Sequence, residues 1–453
     1  MFETPQPVEK YLNVELTCDC GLTHYAPIKA VRTGSGVLTC LPEYVRDFGY
    51  HRPYLICDKI TYEIAGKKCV QLLEDAGFKT DVLILKHMGF DEATLGEIVI
   101  HMPMDCDLMI GCGTGSINDM LRYASFKLSR PCFTVCTGAP MDGFSASVGI
   151  MNVNNLKATM PARCTELIIG DTDILSGAPY RMTIAGFDDL TAKLNASNDW
   201  HLDVLINGAH YCQKVDELIL SYVNDTVSKA GKLKRRDPEA IGDVFNALLL
   251  TGASTSLYGN SRPISGAEHH MSHYWEVLGE QRGKPFAMHG EQAAVGTVLA
   301  LRMVEELRAQ KKIDFDRARE KARQYDAEKW KEEVRRAYGN AADAIIDLEE
   351  SAKKNETQGR LRRIDAIEQK WDEVLSLLNG VFSSERLRDI LVEIGSPCDP
   401  KDIGVTPEML KDTYLYCKET RDRYTVYQLA WDLGILEELT DSVIADLKEK
   451  NRV

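Results

Sequence analysis

What most limits the fold of this chain is the alternation between residues 52 and 173, where short apolar runs take turns with amphipathic ones. RPYLICD reads as a strand ending in Asp58, TYEIAGKKCVQLLEDAGF as a helix closing at Gly77, and TDVLILK as the next strand. The strand CDLMI then runs into the glycine-rich GCGTGS and the helical INDMLRYASFKL, and the strand RPCFTVCT ends in TGAPMDG. These are strand–helix–strand units, and they predict a parallel sheet with its strand-end loops along one edge. Beyond them, VGIMNVNNLKATMP reads as a strand pair, and the strand after it ends near Asp171 and Asp173.

Ligands of open α/β sheets bind at that edge. An acid ending a strand, such as Asp58, can meet a ribose or adenine there, or can serve as a charge at a helix N-terminus. Glycines let the backbone turn tightly and bring N–H groups to a pyrophosphate, and a helix N-terminus adds partial positive charge. Asn118 and Asp119 fall in that helix's first turn. Ser116 stands where the dinucleotide-binding pattern has its last glycine, so this motif alone leaves a plain turn open. Lys157 and Arg163 are the nearest basic residues, for phosphate oxygens or for solvent.

After residue 178 the pattern turns helical. YRMTIAGFDDLTAKLNASNDWHL places Asp188 and Asp189 early in a helix, where carboxylates commonly act as caps or dipole partners. The runs 204–220 and 240–257 read as further helices around the basic link KLKRRDPEA, a solvated loop. SGAEHHMSH then sets His269 and His273 four apart on one helical face, with His270 rotated away by about 100°. His289 opens the next helix. Two imidazoles and one helical carboxylate have the composition of a catalytic metal site with open positions. On spacing alone, unrelated core or surface histidines fit equally.

Composition excludes several classes. A chain of 453 residues, 44% hydrophobic and 27% charged, is globular with more than one domain. A net charge of -14 argues against nucleic acid. No membrane span or signal sequence is visible, so a cytoplasmic protein is expected. The 13 cysteines are scattered through apolar runs and read as buried reduced thiols. Cys18 and Cys20 in CDCG, with His24 behind, lack a second cysteine pair; a β-turn on a small strand pair is the stronger reading than zinc. Beyond residue 301 the chain is highly charged with sparse apolar positions, which predicts long exposed helices over roughly 302–380.

Five motifs in order, GxGTGSIND, TGAPMDG, AGFDDLTAK, SGAEHHMSH and MHGEQ, resemble the glycerol-1-phosphate dehydrogenases, above all their bacterial, AraM-like branch. These lie within the wider group of dehydroquinate synthases and metal-dependent alcohol dehydrogenases. The resemblance runs from about residue 10 to 301 and weakens beyond. It implies an α/β dinucleotide-binding domain over 1–177 and an all-α metal-binding domain over 178–453, a dehydroquinate synthase-like fold. It also implies one divalent metal per subunit, zinc or nickel before iron, held by Asp189, His269 and His289. Asp142, Asp189 and His273 take the substrate positions, with Asp189 and His273 catalytic. Asp58, Gly115, Ser116, Ile117, Asn118, Asp119, Thr137, Gly138, Ala139 and Pro140 take the positions that contact NAD, or NADP. Ala146 stands where the family usually has a cofactor-contacting serine, leaving Ser145 or Ser147, with Ser147 preferred.

The implied reaction is reduction of dihydroxyacetone phosphate to sn-glycerol 1-phosphate. A glycerol dehydrogenase or a dehydroquinate synthase-type enzyme is the nearest alternative, and a nucleotide-binding interaction protein the non-enzymatic one. A homo-oligomer, first of all a dimer, is expected.

Overall fold

The computed structural model describes residues 6–87, 89–153, 156–310 and 312–453; the side chains of 156–159, including Lys157, lie outside the described residues. The chain parts into two compact units, 1–190 with 213–261 and 191–212 with 262–453. The change from alternating to helical pattern at 177–178 falls at the end of a short helix, Thr172–Gly177, within the first of them.

In the first unit, β1 (Leu16–Thr17) and β2 (Thr23–His24) form a small antiparallel pair. There follow β3 (Ala30–Gly34), β4 (Pro53–Asp58), β5 (Asp81–Leu85), β6 (Leu108–Gly113) and β7 (Cys132–Cys136). The expected strand pair is β8 (Val148–Val153) with β9 (Leu156–Pro161), and β10 (Leu167–Asp171) comes last. Six strands make one sheet in the order β3-β10-β7-β6-β4-β5, every pairing parallel. From β4 the chain winds outward to β5, then crosses back to β6, β7 and β10. The winding therefore reverses between β4 and β6, and the crevice beyond their carboxyl ends is the switch point where such sheets bind ligands.

Tyr54 and Ile56 enter one apolar cluster with Met109 and Cys132, whereas Leu55 and Cys57 enter another with Leu108, Ile110 and Phe133. Both sheet faces are covered, which is why these strands read as continuous apolar runs. The helix Gly115–Leu128 contributes Ile117, Met120 and Leu121 to the first cluster. A Cβ on Gly113 would come within 2.5 Å of Ile117 Cδ1. No glycine from 111 to 115 has a positive φ. Close helix-on-strand packing, rather than the expected tight turn, is what requires glycine here.

The long helix Tyr180–Asn207 carries AGFDDLTAK. A Cβ on Gly186 would stand 2.0 Å from the Ala139 carbonyl oxygen, so this helix lies directly on the TGAP loop. Gly186→Ala is expected to cost roughly 1–3 kcal/mol through overpacking, read as a lowered urea midpoint; an unchanged midpoint would show that the loop yields freely. The run 204–220, expected as one helix, is broken. The chain leaves the helix at Gly208, with φ +69°, and re-enters one at Gln213–Ser228. A left-handed glycine after the last helical residue is a helix stop, and it outweighs apolar spacing.

The second unit is helical among the described residues. Ala267–Gln281 and His289–Ala309 place Trp275, Leu299 and Met303 in a core completed by Pro407–Tyr416, Val426–Asp432 and Leu436–Glu449. The charged stretch does not form the expected long exposed helices. It divides into Phe315–Arg323, Ala327–Tyr338, Ala342–Ala352, Thr357–Gln369 and Trp371–Asn379. Val334, Tyr338, Ile367, Val374 and Leu378 enter the same core, because each short helix needs only a few apolar positions to dock one edge. None of the 13 cysteines is in a disulfide, and all but Cys20 and Cys40 are buried. Among the described residues no helix is long and apolar enough to cross a membrane.

Candidate active site

The cofactor-type residues gather at the switch point of the first unit. Asp58 ends β4, and its Oδ1 accepts from the N–H groups of Ile60 (2.6 Å) and Thr61 (2.9 Å), capping the helical turn that follows. Helix capping is thus realised through Oδ1, and the ribose reading rests on the other oxygen of Asp58. Beside it, β6 leads into Thr114, which stands at the N-cap of Gly115–Leu128 without a side-chain cap. The first-turn N–H groups of Gly115, Ser116 and Ile117 are left as donors at the positive end of a helix dipole, an arrangement suited to phosphate oxygens.

Asn118 and Asp119 turn inward instead. Asn118 accepts from Thr134 Oγ1 (3.1 Å) and donates to the Gly143 carbonyl (3.3 Å), while Asp119 pairs with the buried Arg122 at 2.7 Å. Their side chains shape the walls of the loop. The Thr137 N–H donates to the Gly113 carbonyl at 3.1 Å, which sets Thr137, Gly138, Ala139 and Pro140 alongside the glycine-rich stretch. Ser145 is buried and donates to the Leu249 carbonyl at 2.7 Å, so its hydroxyl is engaged away from the loop. Ser147 is only half-buried, with its N–H on Thr255 Oγ1 at 3.3 Å. Arg163 faces Glu166, 3.8 Å away. The two substrate-type acids are joined directly, the Asp142 N–H donating to Oδ2 of the buried Asp189 at 2.9 Å.

In the second unit, His269, His273 and His289 cluster, with ring centroids 5.3 Å apart for His269 and His289, 6.2 Å for His269 and His273, and 6.1 Å for His273 and His289. Helical spacing stacks the first two, and the start of His289–Ala309 brings in the third. His269 and His289 offer ligand nitrogens within 4.8 Å of one another. Each has its Nδ1 on a carboxylate: His269 on Glu268 at 2.8 Å, His289 on Glu276 at 3.0 Å. A carboxylate on one ring nitrogen fixes the tautomer and leaves Nε2 as the lone-pair donor, as metal-bound histidines require.

Glu276 also holds His273 Nδ1 at 3.0 Å, through its other oxygen. Burial opposes charge on Glu268, but His269, the Gly266 N–H and Asn195 outweigh it and hold the carboxyl below its ordinary range. His270 is fully buried, and burial followed by the charge of Lys354 keeps its imidazole well below the usual range, hence neutral. That agrees with a residue rotated off the working face.

Residues 32–179 match the family model described as iron-containing alcohol dehydrogenase. Over 303 residues the chain is 30% identical to a protein of Halalkalibacterium halodurans named glycerol-1-phosphate dehydrogenase (NAD(P)+), spanning 66% of this chain and 76% of the relative. This chain belongs to the glycerol-1-phosphate dehydrogenase family. A Geobacillus stearothermophilus member is 24% identical over 439 residues, 95% of this chain and 100% of its own, so the family likeness extends through the charged helices. The fold is that of the glycerol dehydrogenase crystal structure from Schizosaccharomyces pombe, with a TM-score of 0.61 and 15% identity over 97% of this chain and 95% of that chain.

Two residues of this glycerol-1-phosphate dehydrogenase family member escaped the motif reading, Glu268 and Glu276. Their signal was present but weak: an acid beside His269, and another three residues after His273, on a helix where acids are ordinary surface residues.

Proposed function

We propose that this chain catalyses the reversible, NAD(P)H-dependent reduction of dihydroxyacetone phosphate to sn-glycerol 1-phosphate, with a divalent metal held by Asp189, His269 and His289. The observation that carries the reading is the histidine pair whose Nδ1 atoms both sit on carboxylates. Asp189 supplies the complementary oxygen donor. It lies six residues before Asn195 on one uninterrupted helix, and Asn195 donates to Glu268, the residue beside His269, at 2.7 Å. Two nitrogens and one oxygen fit zinc, nickel or iron. When bound, the metal supplies Lewis acidity toward the ketone oxygen.

The chain's own residues do the rest. The uncapped helix start at Gly115 binds the cofactor's pyrophosphate and orients the nicotinamide, so that hydride passes from its C4 to C2 of the substrate. Reduction also needs one proton at the C2 oxygen. His273, oriented by Glu276, holds or relays it, directly or through water. Asp142, joined to Asp189 through its N–H, positions a substrate hydroxyl. Asp58 at a ribose disfavours the added phosphate of NADP, so NAD is the preferred cofactor.

The expected result is oxidation of NADH by metal-loaded protein on addition of dihydroxyacetone phosphate, with kcat/KM lower for NADPH. No oxidation of either cofactor would sink the proposal, and equal kcat/KM would remove the role given to Asp58. Turnover of glycerol with NAD, with none of the phosphorylated substrate, would favour the glycerol dehydrogenase reading.

A further inference from the structure

The small N-terminal hairpin carries metal donors that the proposed catalysis does not use. β1 and β2 pair Leu16 with His24 and Thr17 with Thr23, and the turn between them is Cys18-Asp19-Cys20-Gly21. It closes with the Gly21 N–H on the Cys18 carbonyl and the Cys18 N–H on the Leu22 carbonyl, both at 3.2 Å, with Gly21 at φ +89°. The expected β-turn is therefore formed, and it does more than reverse the chain. Cys18, Cys20 and His24 offer ligand atoms that lie within 4.8 Å of one another.

The geometry of His24 is that of a ligand. The residue is 0% exposed, and its Nδ1 lies 2.6 Å from the Leu257 carbonyl oxygen, which only an N–H can satisfy. The proton is thereby fixed on Nδ1, and Nε2 presents a lone pair 3.4 Å from Cys20 Sγ. In a tetrahedral zinc site, Zn–S of about 2.3 Å and Zn–N of about 2.0–2.1 Å set sulfur and nitrogen roughly 3.6 Å apart. An imidazole anchored through its far nitrogen to a backbone carbonyl is also the usual outer support of a metal-bound histidine.

A fourth donor is close along the chain. Lys214 Nζ pairs with Asp19 Oδ2 at 2.9 Å, which ties the start of the helix Gln213–Ser228 to the turn. Cys212, a buried thiol, lies two residues before Lys214. We propose that Cys18, Cys20 and His24, completed by Cys212, form a structural site for a thiophilic divalent cation of the zinc class. Three thiolates and one imidazole make a closed tetrahedral set with no open position for substrate. Sequence spacing alone misses it, because the third cysteine is some two hundred residues from the first two.

Cobalt substitution of the full-length protein tests this, since a thiolate-to-cobalt charge-transfer band cannot arise from an Asp, His, His set. The band is expected in the unaltered protein and in His289→Ala, and is expected to vanish in Cys20→Ser with loss of one metal equivalent per chain. Absence of the band from the cobalt-loaded unaltered protein would overturn the proposal, as would a band that survives both Cys18→Ser and Cys20→Ser. An undiminished band in Cys212→Ser would overturn the four-ligand form. If the cysteine variants do not fold, X-ray absorption of the unaltered zinc-loaded protein decides. Sulfur scatterers at about 2.3 Å support the site, and nitrogen and oxygen alone refute it.

Discussion

His289→Ala is expected to lose its bound divalent metal and at least about a thousandfold in kcat/KM for dihydroxyacetone phosphate, roughly 4 kcal/mol of transition-state stabilisation. The size follows from removing a ligand, not a packing contact. His289 is the first residue of its helix and its side chain is 33% exposed, so its removal opens little cavity and leaves the thermal midpoint of the metal-free protein nearly unchanged. Glu276→Gln provides the graded control. It keeps every histidine but weakens the one group that holds the Nδ1 atoms of His289 and His273, and a loss of roughly 10–100-fold in metal affinity is expected. Elemental analysis alongside turnover checks both. Full activity with full metal content in His289→Ala would remove this residue from the ligand set.

The largest effect on stability is expected from Asp432→Ala. Asp432 is 0% exposed; it accepts from Arg363 at 2.6 and 2.9 Å and from the Tyr424 hydroxyl at 3.2 Å, and lies 3.6 Å from Arg360 Nε. Burial already pushes the Arg360 guanidinium down to about 10. Without the carboxylate, two buried guanidinium groups face each other uncompensated, a loss of about 3–5 kcal/mol. For a unit of about two hundred residues this lowers the melting temperature by on the order of 10 °C. Asp432→Asn, which keeps the shape and one acceptor, is expected to lose less. Turnover well below the melting range should be unaffected, and an unshifted melting curve for Asp432→Ala would show that the arginines find other partners.

These two residues differ in how visible they are in the sequence. His289 stands in a motif, MHGEQ, and enters the proposed ligand set through the family resemblance; helical period by itself places only His269 and His273 on one face and leaves unrelated histidines an equal reading. The sheet was equally legible, since strands buried on both faces leave uninterrupted apolar runs such as CDLMI. Asp432 carries no such mark. Its partners Arg360 and Arg363 lie about seventy positions away in a stretch whose charges read as solvated, and local periodicity does not encode a pairing over that distance. The same limit hid Glu268 and Glu276, whose importance lies in which imidazole they touch. The glycine-rich stretch was located correctly and explained only in part, because packing against Ile117 leaves the same letters as a tight turn.

The two oxygens of Glu276 serve different residues, one holding His289 and the other His273. On the roles proposed for His289 and His273, metal preference and proton handling share a single adjustable part. An engineer who exchanges His289 for a softer ligand to change the metal frees one oxygen of Glu276, and so alters the orientation of His273 in the same stroke. A variant designed for a new metal would need a second substitution near His273 to restore its pH profile, and selection for either trait alone would drag the other with it.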